Sequence, residues 1–238
     1  MGRYHIGCSG WSYRDWMSSF YPPGIPAGEM LPWYARQFGT VEVDMTFYRI
    51  PGPETVAAWK GRTPSGFVFA AKMNRAITHY KKLRGADSLV RSFMSSLEPL
   101  DARLGPVLVQ LPPSLAPDQQ LLDDFLSSLP RDRKYAVEPR HSGWYSPRIY
   151  RILERHGAAL CIADRARGGA EHVPTAPFAY VRWHGRSASY SYTADELENW
   201  ARLLASLNVD DVYGYFNNDA GARAPRNAAT LIGMLDGI

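Results

Sequence analysis

Short runs of β-branched and aromatic residues recur roughly every thirty residues along the chain, the interval that one strand–helix unit of a parallel sheet requires. Eight such runs predict strands over Tyr4–Gly10, Thr40–Phe47, Gly66–Met73, Leu104–Pro112, Tyr135–Arg140, Ala158–Arg165, Phe178–Gly185 and Asp211–Asn218. Amphipathic stretches lie between most of them. Ala86–Leu100 puts Leu89, Phe93, Leu97 and Leu100 on one stripe, and Asp118–Leu129 does the same with Leu121, Leu122, Phe125, Leu126 and Leu129. Thr193 opens a further helix, with Glu196 completing a capping box, and Pro225 suits the first turn of the last one. Eight alternating units favour a single-domain α/β fold, a (β/α)8 TIM-type barrel over residues 1–238, rather than an open sheet. No GxGxxG follows the first strand, which counts against a dinucleotide-binding fold. The stretch ARGGAEHVPTAP after Arg165 is too rich in Gly and Pro for an ordinary helix and predicts an irregular segment.

If the strands close into a barrel, alternate side chains point inside. Val41, Val43 and Met45 suit the helix layer, leaving Glu42, Asp44 and Thr46 inside. The same reasoning sends Glu138, Arg140, Arg182 and His184 inward, together with Lys72, Gln110 and Asp164. On the eighth strand the choice between Asn217 and Asn218 stays open. Barrel interiors are usually layers of Val, Ile and Leu, and active sites form at the C-terminal face. Charges at the ends of so many strands therefore predict either a functional pocket or an ion-pair network that plugs the barrel. In the first case the catalytic candidates are Glu42, Asp44, Glu138, Asp164 and His184.

The loops after these strands add a second layer. They carry Trp11, Tyr13, Trp16, Tyr48, Arg49, Arg75, Thr78, His79, His141, Trp144, Arg165, Arg167, Arg186, Arg223 and Arg226. Basic side chains interleaved with aromatics suit phosphate contact and ring stacking. The substrate-binding candidates are thus Lys72, His79, Arg140, His141, Trp144, Arg182, Arg186, Asn217, Asn218, Trp11 and Tyr13, whereas Phe20, Tyr21 and Phe47 are expected to pack the loops. The segment NNDAGARAPRNA leads into a helix N-terminus and is either an anion site or a plain capped turn. The six histidines form no HExxH pair. Carboxylates at the ends of the second, fifth and sixth strands, with His184, would suit a divalent metal, but Lys72, Arg140 and Arg182 already supply positive charge there. No Ser-His-Asp order or CxxC is visible, and Cys8 on its strand reads as a small buried residue.

Composition matters here mainly for compartment and partner. The 238 residues carry a net charge of +4, too modest to indicate nucleic acid without regard to where the charge sits. Cys8 and Cys161 each lie in an apolar run, as buried thiols in a reducing compartment do. MGRYHIGCSG lacks the apolar stretch of a signal peptide, and no run approaches a membrane span. A cytoplasmic protein without membrane partners is expected.

Seven segments, GCSGWSYRDW with FYP, VEVDMTFYRIP, AAKMNRAITH, VQLPPS, AVEPRHSGW, YVRWHG and YFNNDAGARAPRNA, occur in fixed order from near residue 6 to near residue 229. Together they resemble the domain of unknown function 72 (YecE-like) family. The resemblance implies a TIM-type barrel with the motif residues gathered at the strand C-termini, and no established reaction. Asp44 stands where that pattern leads one to expect Asn, and Pro139 where an aromatic is common. The leading functional expectation is a hydrolase- or lyase-type enzyme acting on a phosphate-bearing substrate, a nucleic acid or a sugar phosphate. Arg140, Arg182 and Arg186 would hold the phosphate, Glu138 or Asp164 would act as acid or base, and His184 as proton partner. The alternatives are a non-catalytic nucleic-acid-binding module and a sugar isomerase or hydrolase working through paired carboxylates.

Overall fold

In the computed structural model, which describes residues 3–164 and 172–237, all eight predicted runs form strands. They are β1 (Arg3–Cys8), β2 (Thr40–Val43), β3 (Val68–Lys72), β4 (Leu104–Gln110), β5 (Tyr135–Glu138), β6 (Ala159–Asp164), β7 (Phe178–Trp183) and β8 (Asp211–Phe216). Neighbouring strands pair in parallel in the order β1-β8-β7-β6-β5-β4-β3-β2. The helices α1 (Ala27–Tyr34), α2 (Met45–Tyr48), α3 (Pro53–Gly61), α4 (Asp87–Leu97), α5 (Gln119–Ser128), α6 (Pro147–Arg155), α7 (Ala194–Ser206) and α8 (Arg223–Leu235) fill the connections. This is the expected TIM-type α/β barrel. The irregular segment expected after Arg165 falls mostly on residues 165–171, outside the described residues; residues 172–177 are neither helix nor strand.

The barrel closes between β1 and β2 through side chains as much as through backbone. A single parallel bridge joins Ser9 to Glu42. Beside it the Tyr34 hydroxyl accepts from the Cys8 amide at 2.8 Å and donates to the Thr40 carbonyl at 3.0 Å. Gly7 lies at this seam because a Cβ there would come within 2.4 Å of the Thr40 carbonyl oxygen.

The strand interiors are filled unevenly. Small residues line one part of the barrel (Ala70, Ala136, Ala159, Ala163), while Phe178, Tyr180, Tyr213 and Tyr215 come from β7 and β8. Tyr180 and Tyr215 pack with ring centroids 5.4 Å apart, so aromatic volume from two strands compensates for alanines on the others. The larger cluster, including Val41, Val43, Leu160, Ile162, Val181 and Trp183, lies between strands and helices.

Several boundaries differ from expectation. The second run was expected to stay extended to Phe47, but Asp44 turns helical (φ −72°, ψ −24°) and α2 follows at once. Thr46 is therefore not an inward strand residue: its hydroxyl donates to the carbonyls of Val43 and Lys72, both at 2.7 Å, tying off the ends of β2 and β3. α4 stops at Leu97, and a tighter 3-10 turn continues from Glu98 with Pro99 in its first positions. The Thr193–Glu196 capping box forms as expected, and Pro225 sits in the first turn of α8. Among the described residues no helix is long and apolar enough to cross a membrane.

Candidate functional site

Three strands converge on one ion cluster at the C-terminal end of the barrel. Arg182 on β7 has no exposed surface, so its guanidinium must find all its partners within the protein. It donates to Glu42 Oε1 from Nε (3.1 Å) and Nη2 (2.7 Å), and to Glu138 Oε2 from Nη1 (2.9 Å). Each carboxylate is then completed by neutral donors. Glu42 accepts from the Ser9 hydroxyl at 2.6 Å and the Tyr180 hydroxyl at 2.5 Å, and Glu138 accepts from the Gln110 amide at 2.6 Å. Arg140 Nη2 lies 2.9 Å from Glu138 Oε1 and His184 Nε2 lies 3.2 Å from it. Four donors on each carboxylate use up the roughly four lone-pair sites such a group offers. Glu42, Arg182 and Glu138 thus form a saturated floor.

The electrostatics follow from this packing. Burial would raise Glu138, but Arg182, the His184 hydrogen bond and Arg140 hold it well below the ordinary carboxylate range. Burial, reinforced by Asp44, pushes the Glu42 carboxyl above its ordinary range against the pull of Arg182. Burial also lowers His184, with Arg182 and Arg140 adding to it, so the imidazole prefers its neutral form.

Above the floor the groups are partly exposed and more loosely held. Asp44, whose side chain is 23% exposed, lies 3.5 Å from Arg182 Nη2 and 3.6 Å from Lys72 Nζ. Lys72 Nζ also stands 4.5 Å from the centroid of Phe47, whose ring meets His79 edge-on at 4.9 Å. His79 Nδ1 is 2.9 Å from the Thr78 hydroxyl; burial and the nearby charges of Lys72 and Arg140 lower its pKa. On the other side of the mouth, Arg140 is 28% exposed and its Nη2 lies 3.3 Å from His184 Nε2. Asn217 resolves the ambiguity of the last strand: its amide meets His184 Nδ1 at 3.1 Å. A cleft of about 270 Å3 opens beside these groups, lined by Trp11, Tyr13, Asp44, Met45 and Tyr48 among others. The Tyr13 hydroxyl bonds to the Ser9 carbonyl and is raised by burial and by Asp219.

The structure therefore brings Glu42, Asp44, Lys72, His79, Glu138, Arg140, Arg182, His184, Asn217, Trp11 and Tyr13 to one end of the barrel. Other candidates lie elsewhere. Asp164 shares the outward face of β6 with Leu160 and Ile162, and its carboxylate accepts from Tyr192 at 2.6 Å in the helix layer. Trp144 and Trp16 are fully buried, with indole N–H groups spent on the carbonyls of Leu115 (2.8 Å) and Asp219 (2.6 Å), so both pack loops. His141 caps a short turn by accepting from the Gly143 amide at 3.0 Å. Asn218 is buried against α8, donating to Tyr190 O and to Asn227 Oδ1 at 2.7 and 2.8 Å. Arg186 extends into solvent over the Tyr190 ring, 5.2 Å from its centroid. Arg165 and Arg167 lie outside the described residues.

Two further expectations change. At the turn after β8, the Gly221 amide already donates to the Asp15 carboxylate at 2.7 Å, and Arg223 caps the Ala220 carbonyl at 3.0 Å. The protein's own carboxylate stands where the anion was expected. For a metal, the oxygens of Glu42 and Glu138 are consumed by Arg182 and neutral donors and Asp164 faces away; among the described residues no group of three or more His, Cys, Asp or Glu is arranged to hold an ion. The donor set does not fit a divalent cation. Ser9, Tyr180 and Asp219 belong to the site although they were not singled out. Inward alternation on β1 and β7 marks the first two, whereas Asp219, raised by burial beside Tyr13, lies in a loop where no alternation applies.

A family model described as a protein of unknown function, DUF72, matches residues 5–237. The UPF0759 protein YecE of Escherichia coli (strain K12) is 36% identical over 166 residues, which span 67% of this chain and 58% of that relative, under two thirds of its length. The UPF0759 protein YunF of Bacillus subtilis (strain 168) is 27% identical over 98% of this chain and 94% of its own. The crystal structure of a DUF72 family protein from Thermotoga maritima MSB8 superposes with a TM-score of 0.90 at 27% identity, covering 98% of this chain and 99% of the other.

Proposed function

The chain belongs to the DUF72 family, and on that premise we propose that its barrel mouth is the site of an enzyme that moves a proton on a phosphate-bearing substrate. The observation that carries this reading is the placement of His184, an imidazole 15% exposed at the mouth and set between Glu138, Arg140 and Asn217, whose pKa burial lowers. Glu138 remains anionic and has no lone pair to spare, so it cannot serve as acid or base. It orients the imidazole: with the proton on Nε2 directed at Glu138, Nδ1 is the basic nitrogen. Substrate displaces the Asn217 amide from Nδ1 and offers its own proton there.

Arg140 supplies the anion contact: its side chain is 28% exposed at the mouth, and a guanidinium suits phosphate oxygens. Lys72 gives a second positive charge across the mouth, and Asp44, the loosely held carboxylate, is the second proton carrier. Arg182 has no such role, because every partner it has is a buried carboxylate or Asp44. Hydrolysis or isomerisation of an uncharged sugar by paired carboxylates is less well supported, since Glu42 and Glu138 are both filled by donors. Cys8 and Cys161 are buried and neither forms a disulfide, which supports the cytoplasm as working compartment.

The test is conversion of a panel of sugar phosphates and nucleotides followed by phosphorus NMR. At least one member is converted by the wild type; His184→Gln lowers that rate by about 10²–10⁴ with binding retained, and Arg140→Met weakens binding. A wild-type protein that neither converts nor broadens the signal of any member sinks the proposal.

A further inference from the structure

The exposed large hydrophobic side chains among the described residues, Met45 (44%), Tyr48 (65%) and Tyr80 (68%), all lie beside the mouth. Two of them are organised by one cation. The Arg75 guanidinium carbon is 5.4 Å from the centroid of Tyr48 and 5.5 Å from that of Tyr80. Tyr80 ends a π-helical turn, Ala76–Tyr80, a rare conformation that occurs disproportionately at functional sites. The turn keeps Ile77 and Thr78 buried while leaving Tyr80 in solvent. Tyr48, reached from α2, also lines the cleft that runs to Asp44. Rings left in water beside a guanidinium, and continuous with a polar mouth, point to a ligand with flat faces and negative charge.

The charge around the rings says what kind. The segments Met45–Arg49 and Asn74–Gly85 contain Arg49, Arg75, Lys81, Lys82 and Arg84 and no acidic residue, although Arg84 pairs with Asp118 at 2.9 Å and Lys82 donates to the Ser114 carbonyl at 3.2 Å. Arg49, Arg75 and Lys81 still bring more positive charge than one phosphate needs. Two rings within reach of one guanidinium also offer more than one stacking face, whereas a lone nucleotide has a single base. We infer that this surface is a docking platform for single-stranded nucleic acid, with unpaired bases stacking on Tyr48 and Tyr80, backbone phosphates meeting Arg75 and its basic neighbours, and the strand leading into the mouth. The inference rests on the proposed phosphate-bearing substrate and names its class. A duplex keeps its bases stacked inside and would compete through its phosphates only.

The experiment is fluorescence anisotropy with a labelled oligothymidylate of about twelve nucleotides, within the range of single-strand site sizes, beside an abasic strand of equal length. The wild type binds the thymidylate, with affinity falling as salt rises. Tyr48→Ala and Tyr80→Ala each weaken it by about five- to a hundredfold, the abasic strand binds correspondingly less well, and Asp211→Asn, at the opposite end of the barrel, binds like the wild type. No thymidylate binding at low salt, equal binding of the abasic strand, or unchanged affinity in both tyrosine variants overturns the platform. If Arg140→Met abolishes binding while the tyrosine variants do not, the platform falls and the phosphate reading of the mouth stands. If the tyrosine variants lose binding while no phosphorylated compound is ever converted, the platform stands and the enzymatic reading falls.

Discussion

The barrel has an ion cluster at each end, and the two are built differently. At the N-terminal end Asp211, 2% exposed, is held by two cations, Arg3 at 2.9 Å and Lys134 at 2.8 Å, with the His5 imidazole beside it at 3.5 Å. Lys134 also bonds the Tyr213 hydroxyl at 3.0 Å and lies over the rings of Phe178 and Tyr213, while His5 stacks on Tyr213 at 4.6 Å. One carboxylate, its cations and three rings make a plug. At the C-terminal end the floor is equally saturated, yet it carries a second tier in which Asp44, Arg140 and His184 are partly exposed, Asp44 lying 3.6 Å from the Lys72 ammonium and Arg140 3.3 Å from His184. A cluster of charge is therefore not in itself a site. What separates the two ends is donor and acceptor capacity left facing solvent.

The sharpest way to break this comparison is to remove the keystone of the C-terminal floor. Arg182→Leu leaves Glu42 and Glu138 buried without their shared cation and is expected to cost about 3–5 kcal/mol, read as a collapse in melting temperature. Arg182→Lys, which keeps the charge but cannot fork between two carboxylates, is expected to lose less. A wild-type melting temperature in the leucine variant, with phosphate binding gone, would return Arg182 to the role of substrate ligand.

Asp211→Asn tests the other end. It keeps the shape but removes the charge that Arg3 and Lys134 address, and is expected to cost about 1–3 kcal/mol by chemical denaturation. Ligand binding at the mouth should not change. A binding defect in this variant would mean that the plug and the mouth are coupled through the barrel interior.

The smallest effect is the pH dependence, which separates floor from rim. His184 is held neutral, so below about pH 6.5, the value of an unfolded histidine, the unfolded chain binds more protons than the folded one and stability falls. His5 and His79 are lowered too and contribute in the same direction. Glu138 is depressed, so its contribution is present above about pH 4.3 and is lost as pH drops toward its folded value. Denaturation midpoints measured from pH 8 to 3 should therefore decline in two stages, with His184→Gln flattening part of the first. A single acid stage in both proteins would contradict the neutral imidazole.

Much of this was legible from alternation. Glu42, Lys72, Gln110, Glu138, Arg182 and His184 all point where the strand pattern sends them, because large apolar neighbours mark the opposite face. Asp164 does not follow the expected inward direction: in the stretch ALCIAD the bulky Leu160 and Ile162 face outward and the small Ala159, Cys161 and Ala163 face inward, so Asp164 shares the outward parity. Alternation also gives the face but not the depth. It could not tell that Arg182 lies below the mouth with every nitrogen committed, or that Trp144 is buried while Trp11 is partly open. Those distinctions depend on loops, where no period constrains the side chain, as the Asp15 carboxylate at Gly221 also shows.

The Tyr34 hydroxyl between Cys8 and Thr40 has a mechanical consequence. Seven strand junctions are backbone ladders, from two residue pairs between β5 and β6 to six between β1 and β8, with a register shift between β3 and β4, and in a ladder several bonds must yield together. The eighth, between β1 and β2, is held by one backbone bridge, one phenol and the Ser9–Glu42 contact. It is the compliant segment of the ring. Trp11 and Tyr13 follow β1 and Asp44 follows β2, so the two lips of the cleft hang from the two sides of that soft joint. A small spread there widens the aperture without disturbing the remaining ladders, and a helix side chain, rather than sheet backbone, sets how far it opens.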